Sequence, residues 1–352
     1  QEAIEVLQAV GIMTGDDEGN FNPEANVTRN EMAVIMCNLM DYTVSSYAGT
    51  APFTDVPSWA EPYVAACYAN GITGGTSETT YSGDESVTTV QAALRLMKGL
   101  GYFDDVDTAA AEALTRNDVA QMVLNALETP MVDATGDGGT TITGEGFEIT
   151  TGKATYEDRT SSDKKYGKID DERSTNNGRY IIQLGEDLFD GDLECADKTD
   201  DFGRPCVEWF WKADSIGVYS NSDDLVATYT KKVTATDIYE AVGKSVSNAV
   251  KSGDAKCWVT LDGKHIEADL NKVFSKDDTY TVNGTGNGDY TEVYVDGDNN
   301  VTIAFISTYL LQANGDYSEN RGTLAVSSVT YPGSVTTLYD EDFDLSSFQD
   351  ED

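Results

Sequence analysis

The sequence predicts a multidomain α+β protein, in which an all-α repeat domain with a three-helix core precedes a strand-rich α+β or β region. Its 352 residues exceed what one hydrophobic core usually holds. Within the first third, two stretches align after a shift of 60 positions and show helical spacing of apolar residues. Beyond residue 140 the pattern changes to short β-branched and aromatic runs separated by turn residues.

Two repeat units are recognisable near the N-terminus. Residues 9–15 align with residues 69–75, and residues 27–28 align with residues 87–88. Each unit predicts a helix, a glycine loop and a second helix. Gly11 and Gly71 stand where a left-handed residue ends the first helix, and Pro62 suits the first turn of the helix that starts near Trp59.

The second helix of each unit begins with a predicted capping box. Thr28 pairs with Glu31, Thr88 with Gln91, and a third copy pairs Thr115 with Asp118. Apolar residues recur behind the three caps: Met32, Ile35, Met36 and Leu39; Ala93, Leu96, Met97 and Leu100; Val119, Met122, Val123 and Leu127. We expect these three helices to bury their apolar faces against one another.

Three motifs in this region resemble a known family. Residues 53–60 (FTDVPSWA), 71–75 (GITGG) and 27–33 (VTRNEMA) are similar to the signatures of S-layer homology domains, and the resemblance covers residues 1–131. It implies a pseudo-threefold arrangement whose grooves bind secondary cell-wall polysaccharide, commonly through a pyruvylated sugar. Residues 200–211 resemble a segment of S-layer-like surface proteins of gut Clostridia, which implies a structural or assembly region.

The resemblance suggests four polysaccharide-binding residues. Arg29 and Arg116 occupy the family's arginine position, where a guanidinium beside a helix N-terminus suits the carboxylate of a ketal-linked pyruvate. Residues 1–131 contain only 4 Lys and Arg against 19 Asp and Glu, so two arginines at one motif position are notable. Trp59 offers a face for a sugar ring, and Gly75 permits close backbone approach. The alternatives are arginines that pair with acidic neighbours and a Trp59 that belongs to the core.

The sequence also departs from the family pattern. Thr89 stands where the family has arginine, and the third unit runs from residues 103–106 almost directly into residues 113–116 without a glycine loop. The first unit lacks its front half, so we expect a chain that is processed or truncated at its N-terminus. At most one or two grooves are expected to be intact.

The predicted domain boundaries follow these patterns. They are residues 1–131 for the repeats, 132–140 for a linker, 141–230 for a β-rich domain, 231–340 for an α+β domain with hairpins, and 341–352 for an acidic tail. The last folded region is predicted to hold a helix over 236–250 and hairpins that turn at Asp262-Gly263 and at residues 296–300. A strand is predicted over 179–184.

Composition limits the partners and the chemistry. A formal net charge of −39 repels nucleic acid, and no apolar run has the length that insertion into a membrane needs. His265 is the one histidine, and no catalytic grouping or organic cofactor motif is present, so we predict a protein without enzymatic activity. Cys195 and Cys206 flank a polar loop and are either bridged or free.

One loop resembles a cation site. Asp296, Asp298 and Asn300 alternate around Gly297, which indicates a Ca²⁺ site, although the full spacing of a calcium loop is absent. An acidic hairpin turn is the alternative interpretation.

The leading hypothesis is an extracellular structural protein of the bacterial cell surface, an S-layer or S-layer-like subunit. It would hold wall polysaccharide through its repeats and self-associate into a lattice or filament through its β-rich region. One alternative is an anchored carbohydrate-binding module or adhesin, with Trp209, Trp211 and Tyr219 as a stacking platform. Another is an anchored glycoside hydrolase fragment. Exposure of the two tryptophans separates the first two hypotheses, and a pocket with two facing carboxylates would favour the third.

Overall fold

The computed structural model describes residues 1–15, 19–88, 113–135, 140–144, 147–151, 155–170, 173–174, 177–283 and 288–339. The predicted apolar stripe at residues 93–100, the cap residue Gln91, Thr89 and the acidic tail lie outside these residues. The chain forms two compact units. The first consists of Gln1–Ala196 and Glu208–Gly217, and the second consists of Asp197–Val207 and Val218–Asp352. The domain boundaries given above remain a prediction.

The first unit begins with helices. They are α1 Glu2–Ala9, α2 Arg29–Leu39, a 3₁₀ turn at Val44–Ser46, α3 Glu61–Ala69 and α4 Arg116–Leu127. Gly11 and Gly71 have φ of 78° and 72°, which confirms their predicted position just after α1 and α3. Pro62 lies in the first turn of α3, also as predicted.

Three extended residues form a closed ring of backbone hydrogen bonds. The Val27 N–H donates to the Leu114 carbonyl at 2.9 Å, the Leu114 N–H to the Val87 carbonyl at 3.0 Å, and the Val87 N–H to the Val27 carbonyl at 2.8 Å. All three side chains are fully buried. Because each residue directly precedes the cap threonine of its unit, the ring marks a pseudo-threefold axis. The predicted meeting near residues 28, 88 and 115 is confirmed for the residues that precede the three caps. The two described capped helices, α2 and α4, pack mainly against α3 and α1 rather than against each other, and the helix predicted after Thr88 lies outside the described residues.

Both capping boxes that lie within the described residues are formed. The Glu31 N–H donates to Thr28 Oγ1 at 3.2 Å, and the Thr28 N–H donates to Glu31 Oε2 at 2.8 Å. Asp118 and Thr115 repeat these contacts at 3.2 and 2.9 Å, so the shorter aspartate also closes the box. Each cap satisfies N–H groups that a helix start leaves without partners, a contribution of about 1 kcal/mol.

The rest of the first unit contains short strands. They are β1 Val132–Ala134, β2 Thr140–Gly144, β3 Phe147–Thr151, β4 Tyr156–Asp158, β5 Thr160–Ser161 and β6 Tyr180–Ile181. Antiparallel pairs join β1 with β4, β2 with β3, and β5 with β6. Strand β1 occupies part of the segment predicted as a linker.

The strand predicted over residues 179–184 is confirmed only at Tyr180–Ile181 and is wrong beyond it. Gln183 instead caps a short helix, α5 Leu184–Leu188. The fully buried Glu186 explains the change, since its carboxylate accepts the N–H groups of Lys168 at 2.6 Å and Gln183 at 3.1 Å. The buried carboxylate thereby gains the hydrogen bonds that it needs away from water.

A three-stranded meander follows, with β7 Leu193–Thr199, β8 Pro205–Trp211 and β9 Asp214–Ser220. The division between the two units passes through these strands, so residues 193–196 and 208–217 are assigned to the first unit and the remainder to the second.

The second unit is built on a five-stranded sheet and a long helix. Its elements are β10 Leu225–Tyr229, β11 Val233–Thr234, α6 Ala235–Ser252, β12 Cys257–Leu261, β13 Lys264–His265, α7 Leu270–Val273, β14 Thr281–Asn283, β15 Asp289–Val295, β16 Val301–Ser307, β17 Leu311–Ala313, β18 Thr323–Ser328 and β19 Thr337–Tyr339. The sheet has the order β10-β15-β16-β12-β13, with β12 parallel to β16.

Both predicted hairpins are confirmed in this unit, and the predicted helix is confirmed with a break at Gly243, whose φ is 80°. Asp262 and Gly263 turn with φ of 48° and 74°, the conformation that a two-residue hairpin loop requires. Helix α6 buries its apolar stripe against one face of the sheet. The core includes Ile238, Val242, Val246, Val250, Val259, Val293, Ile303 and Phe305. Among the described residues, no helix has both the length and the apolar character to cross a membrane.

Candidate functional site

Arg116 is the first residue of α4, and it holds the loop of the first repeat unit. Its Nε donates to the Phe21 carbonyl at 2.7 Å, and one terminal nitrogen donates to the Thr14 carbonyl at 2.7 Å. The other terminal nitrogen donates to Glu31 Oε1 at 3.1 Å. The guanidinium lies 4.8 Å from the centroid of the Phe21 ring. These contacts fix the charge in place, with 12% of the side chain exposed.

Arg29 is the first residue of α2 and makes equivalent contacts with the loop of the second repeat unit. Its Nε donates to the Tyr81 carbonyl at 3.1 Å, and a terminal nitrogen donates to the Gly74 carbonyl at 2.7 Å. The guanidinium lies 4.6 Å from the Tyr81 ring centroid. Gly74 and Tyr81 are the positions that a shift of 60 aligns with Thr14 and Phe21. Each arginine therefore clamps the glycine loop of another unit.

The two arginines differ in the space beside them. The described residues around Arg116 enclose an open groove of about 680 Å³, which is within the range of small-molecule sites. The cavity at Arg29 measures about 10 Å³, roughly the space of one water molecule. A sugar ring fits beside Arg116 and does not fit beside Arg29 unless the loop moves.

Trp59 lines the same groove as Arg116 and is 56% exposed. The alternative that Trp59 belongs to the core is therefore wrong. Gly15, Asn20 and Asn38 also line the groove. The groove thus combines an aromatic face, a guanidinium and polar amide groups.

Gly75 lies outside both cavities. A Cβ on this residue would stand 2.5 Å from Phe53 Cε1 and 2.6 Å from the Thr80 carbonyl oxygen, so packing of its own loop already requires glycine. The residue at the corresponding position of the first unit, Gly15, does line the groove. The ligand role of Gly75 stays a prediction.

Sequence reasoning assigned Glu31 to a helix cap alone and attached no role to Asp55. Glu31 is also the ion-pair partner of Arg116, so the acidic-neighbour alternative applies to that arginine in part. The Asp55 carboxylate accepts the N–H groups of Tyr81 and Ser82, each at 2.8 Å. The hydrogen bond from Tyr81 is the main reason that the pKa of Asp55 lies below its ordinary value of 3.8. Asp55 thus stabilises the loop that Arg29 clamps.

All five cysteines are free thiols in the structure, including Cys195 and Cys206. Cys37 and Cys67 lie in the helical core with their sulfur atoms 3.6 Å apart. The hydrogen bond from the Cys67 thiol lowers the pKa of Cys37.

The predicted calcium loop uses its own side chains to close the turn. Asp296 Oδ1 accepts the N–H groups of Asp298 at 2.9 Å and Asn300 at 2.8 Å, while Oδ2 accepts the Asn300 amide at 2.8 Å. Within the described part of the chain, no group of three or more His, Cys, Asp or Glu side chains has an arrangement that suits a metal ion. Calcium binding by Asp296, Asp298 and Asn300 stays a prediction.

Comparisons with known proteins agree with this geometry. The family model for the S-layer homology domain matches residues 1–33 and 52–93. A 95-residue stretch is 34% identical to the "Surface-layer 125 kDa protein" of Lysinibacillus sphaericus, covering 26% of this chain and 8% of that relative. The chain therefore matches only a small part of the relative's length.

The fold, the repeats and these matches define an S-layer homology domain at the N-terminus of an α+β chain. These matches indicate a cell-surface protein that carries an S-layer homology domain and is similar in part to a surface-layer protein. The hydrogen-bonded ring adds Leu114, and with it a third unit, to the two segments that the family model matches.

Proposed function

We propose that this protein attaches non-covalently to secondary cell-wall polysaccharide through the groove between Arg116 and Trp59, and that it has a structural rather than an enzymatic role there. The observation that carries the proposal is the presence of both side chains in one open groove of about 680 Å³. The described contacts of Arg116 use three of the five N–H groups of a guanidinium, which leaves two for a ligand.

The groove suits an anionic sugar such as a pyruvylated one. Arg116 lies at the N-terminus of α4, where the helix dipole adds to the attraction for a carboxylate. The exposed face of Trp59 offers apolar contact to the C–H face of a sugar ring. The negative charge of Glu31 beside Arg116 weakens the attraction of the groove for an anion. Substitution of Glu31 therefore tests the proposal.

Co-sedimentation with purified cell-wall sacculi tests the proposal. We expect Trp59→Ala to reduce retention at least ~tenfold, because the stacking surface is lost without removing any core contact. Tyr156→Ala is the matched control, since that aromatic side chain is 61% exposed and lies outside the groove. Mild acid that removes ketal-linked pyruvate from the walls is expected to abolish the difference. Equal retention of both variants on untreated walls would contradict the proposal.

We further propose that the second unit self-associates with copies of itself. Strand β10 is an edge of the five-stranded sheet, and among the described strands only β15 pairs with it. Val226 on this strand is 45% exposed. The register of β10 shifts between Leu225 and Ala227, so Val226 lies at a bulge, and the regular edge available for pairing with another chain is residues 227–229. Analytical ultracentrifugation is expected to show oligomers that Val226→Lys dissociates, and an unchanged distribution of species would count against this edge.

The aromatic platform suggested for an adhesin is not formed. Trp209 is fully buried, and its Nε1 donates to Glu2 Oε1 at 2.6 Å. Trp211 packs edge-on against Phe189, with ring centroids 5.2 Å apart. Because Trp209 is fully buried, the interpretation of this protein as an adhesin requires a different carbohydrate-binding site.

A further inference from the structure

A second cleft lies within the second unit, on the face of the five-stranded sheet that α6 leaves uncovered. Strand alternation places Val259, Val293 and Ile303 in the core under α6, so their neighbours in sequence point to the opposite face. There Trp258 of β12 is in register with Thr302 of β16, and Thr302 is in register with Tyr294 of β15. These three side chains form one row across the sheet.

The chain segment that precedes β8 packs over part of this face. The hydroxyl of Thr260 donates to the Phe202 carbonyl at 3.4 Å. Gly203 lies so close to the sheet that a Cβ would be 2.6 Å from Thr260 Oγ1. Arg204 lies 3.8 Å from the carboxylate of Glu292 on β15. The segment and the strands enclose a cleft of about 440 Å³, with Trp258 among its lining residues.

The lining of the cleft is aromatic on the floor and polar at the rim. Trp258 is 44% exposed, so much of its indole faces the open space. Singly exposed apolar residues are ordinary on a flat surface, whereas a half-exposed indole inside a concave site is a surface for a ligand. The polar groups that line the cleft include Asp197, Asn221, Asp224, His265 and Asp296.

We infer that this cleft binds a neutral carbohydrate. An indole face packs against the C–H groups of a sugar ring, while carboxylates and carboxamides accept hydrogen bonds from its hydroxyl groups. The lining carries the carboxylates of Asp197, Asp224 and Asp296 and the ammonium of Lys198, and the Lys256 ammonium lies 5.9 Å from the centroid of the Trp258 ring. Three carboxylates against two ammonium groups leave a negative balance that disfavours anions. This preference is opposite to that of the Arg116 groove.

Hydrogen bonds hold several polar groups of the cleft in place. Both oxygens of Asp296 accept hydrogen bonds from the turn that contains it. The side-chain oxygen of Asn300 accepts the Lys256 N–H at 2.8 Å, and Asp224 accepts the Asn221 amide at 2.9 Å. Burial and the neighbouring carboxylate of Asp296 raise the pKa of Asp224. Polar groups that are fixed before a ligand arrives lower the entropic cost of binding it.

Fluorine NMR on protein labelled with 5-fluorotryptophan tests the inference, because the chain has 4 tryptophans and each gives its own resonance. The probes are neutral hexaoses of glucose (β-1,4- and α-1,4-linked) and of N-acetylglucosamine, with a galacturonic acid hexaose as the anionic probe. We expect the Trp258 resonance to shift and saturate with at least one neutral hexaose and not with the acidic one. The Trp59 resonance is expected to remain unchanged by that neutral ligand.

Calorimetry on variants completes the test. We expect Trp258→Ala to weaken the neutral ligand at least ~tenfold and Trp258→Phe to retain most of the affinity, because phenylalanine keeps an aromatic face. Tyr156→Ala is the control and is expected to bind normally, because this exposed aromatic residue lies outside both cavities. A Trp258 resonance that no neutral hexaose moves at about 10 mM, a concentration that detects even millimolar affinity, would overturn the inference. Neither result bears on wall attachment through Trp59.

Discussion

Glu31 and Arg116 join two repeat units across the groove, with Glu31 Oε1 3.1 Å from a terminal nitrogen of Arg116. The second oxygen of the same carboxylate closes the capping box of α2. One side chain thus starts a helix and partly neutralises the groove's cation. A shift of 60 positions aligns Glu31 with Gln91, an uncharged residue that lies outside the described part of the chain.

The first prediction separates these two roles of Glu31. Glu31→Gln keeps a residue that can close the capping box but removes the negative charge beside Arg116. We expect unfolding free energy to fall by less than about 1 kcal/mol, because the carboxylate is partly exposed. Affinity for pyruvylated wall glycan is expected to rise roughly threefold to tenfold at low salt. Binding that weakens, measured by co-sedimentation at several salt concentrations, would show that Glu31 contacts the ligand.

The second prediction distinguishes the two arginines. Arg29→Gln and Arg116→Gln are each expected to lower the unfolding free energy by about 2 to 3 kcal/mol, since both leave clamped carbonyls without their charged donor. Only Arg116→Gln is expected to reduce wall retention of the folded protein, because the cavity at Arg29 has room for about one water molecule. Urea unfolding and sedimentation of the same samples measure both effects. Loss of retention in Arg29→Gln, with its fold intact, would reassign the binding site.

The third prediction concerns the ring at the pseudo-threefold axis. Leu114→Ala removes a fully buried side chain from the point where the units meet and is expected to cost about 2 to 5 kcal/mol of unfolding free energy. The control is Val132→Ala, which truncates a side chain that is 47% exposed and is expected to cost under about 0.5 kcal/mol. If the two variants lose similar amounts of unfolding free energy in urea, Leu114 does not belong to the core of the repeat domain.

The fourth prediction concerns pH. Asp55 has a lowered pKa in the folded protein, so its ionised form stabilises the fold above the ordinary value of 3.8, and this contribution is lost as the pH falls through the lowered value. Asp55→Asn is expected to reduce the acid sensitivity of the loop at residues 74–82 at pH values below about 4. Hydrogen exchange of the Tyr81 and Ser82 amides across that range measures the effect. Identical pH profiles for wild type and variant would exclude the role assigned to Asp55.

Much of the repeat domain could be predicted because its signals are local. A capping box spans only four residues and predicts the start of a helix, and a glycine just after an apolar run predicts its end. Helices α2, α3 and α4 could therefore be predicted from short patterns. The hairpin turns at Asp262 and Gly263 are equally local. By contrast, the strand predicted over residues 179–184 ended early because Glu186 finds its partner at Lys168, 18 positions away in the sequence.

The motif could not predict that the two arginines differ in the space available for a ligand, because both occupy the same motif position. Ile72, Thr73 and Tyr81 beside Arg29 have counterparts in Ile12, Met13 and Phe21 beside Arg116, so these positions do not separate the two sites. The described difference is Trp59, which lines the groove at Arg116 and not the cavity at Arg29.

The most direct test of the Arg116–Trp59 groove is a titration of 5-fluorotryptophan-labelled protein with purified, pyruvylated wall polysaccharide. We predict that the Trp59 resonance shifts with the bound fraction and that the resonance of the buried Trp209 stays fixed. Polysaccharide that binds the protein yet leaves the Trp59 resonance unchanged would contradict the account.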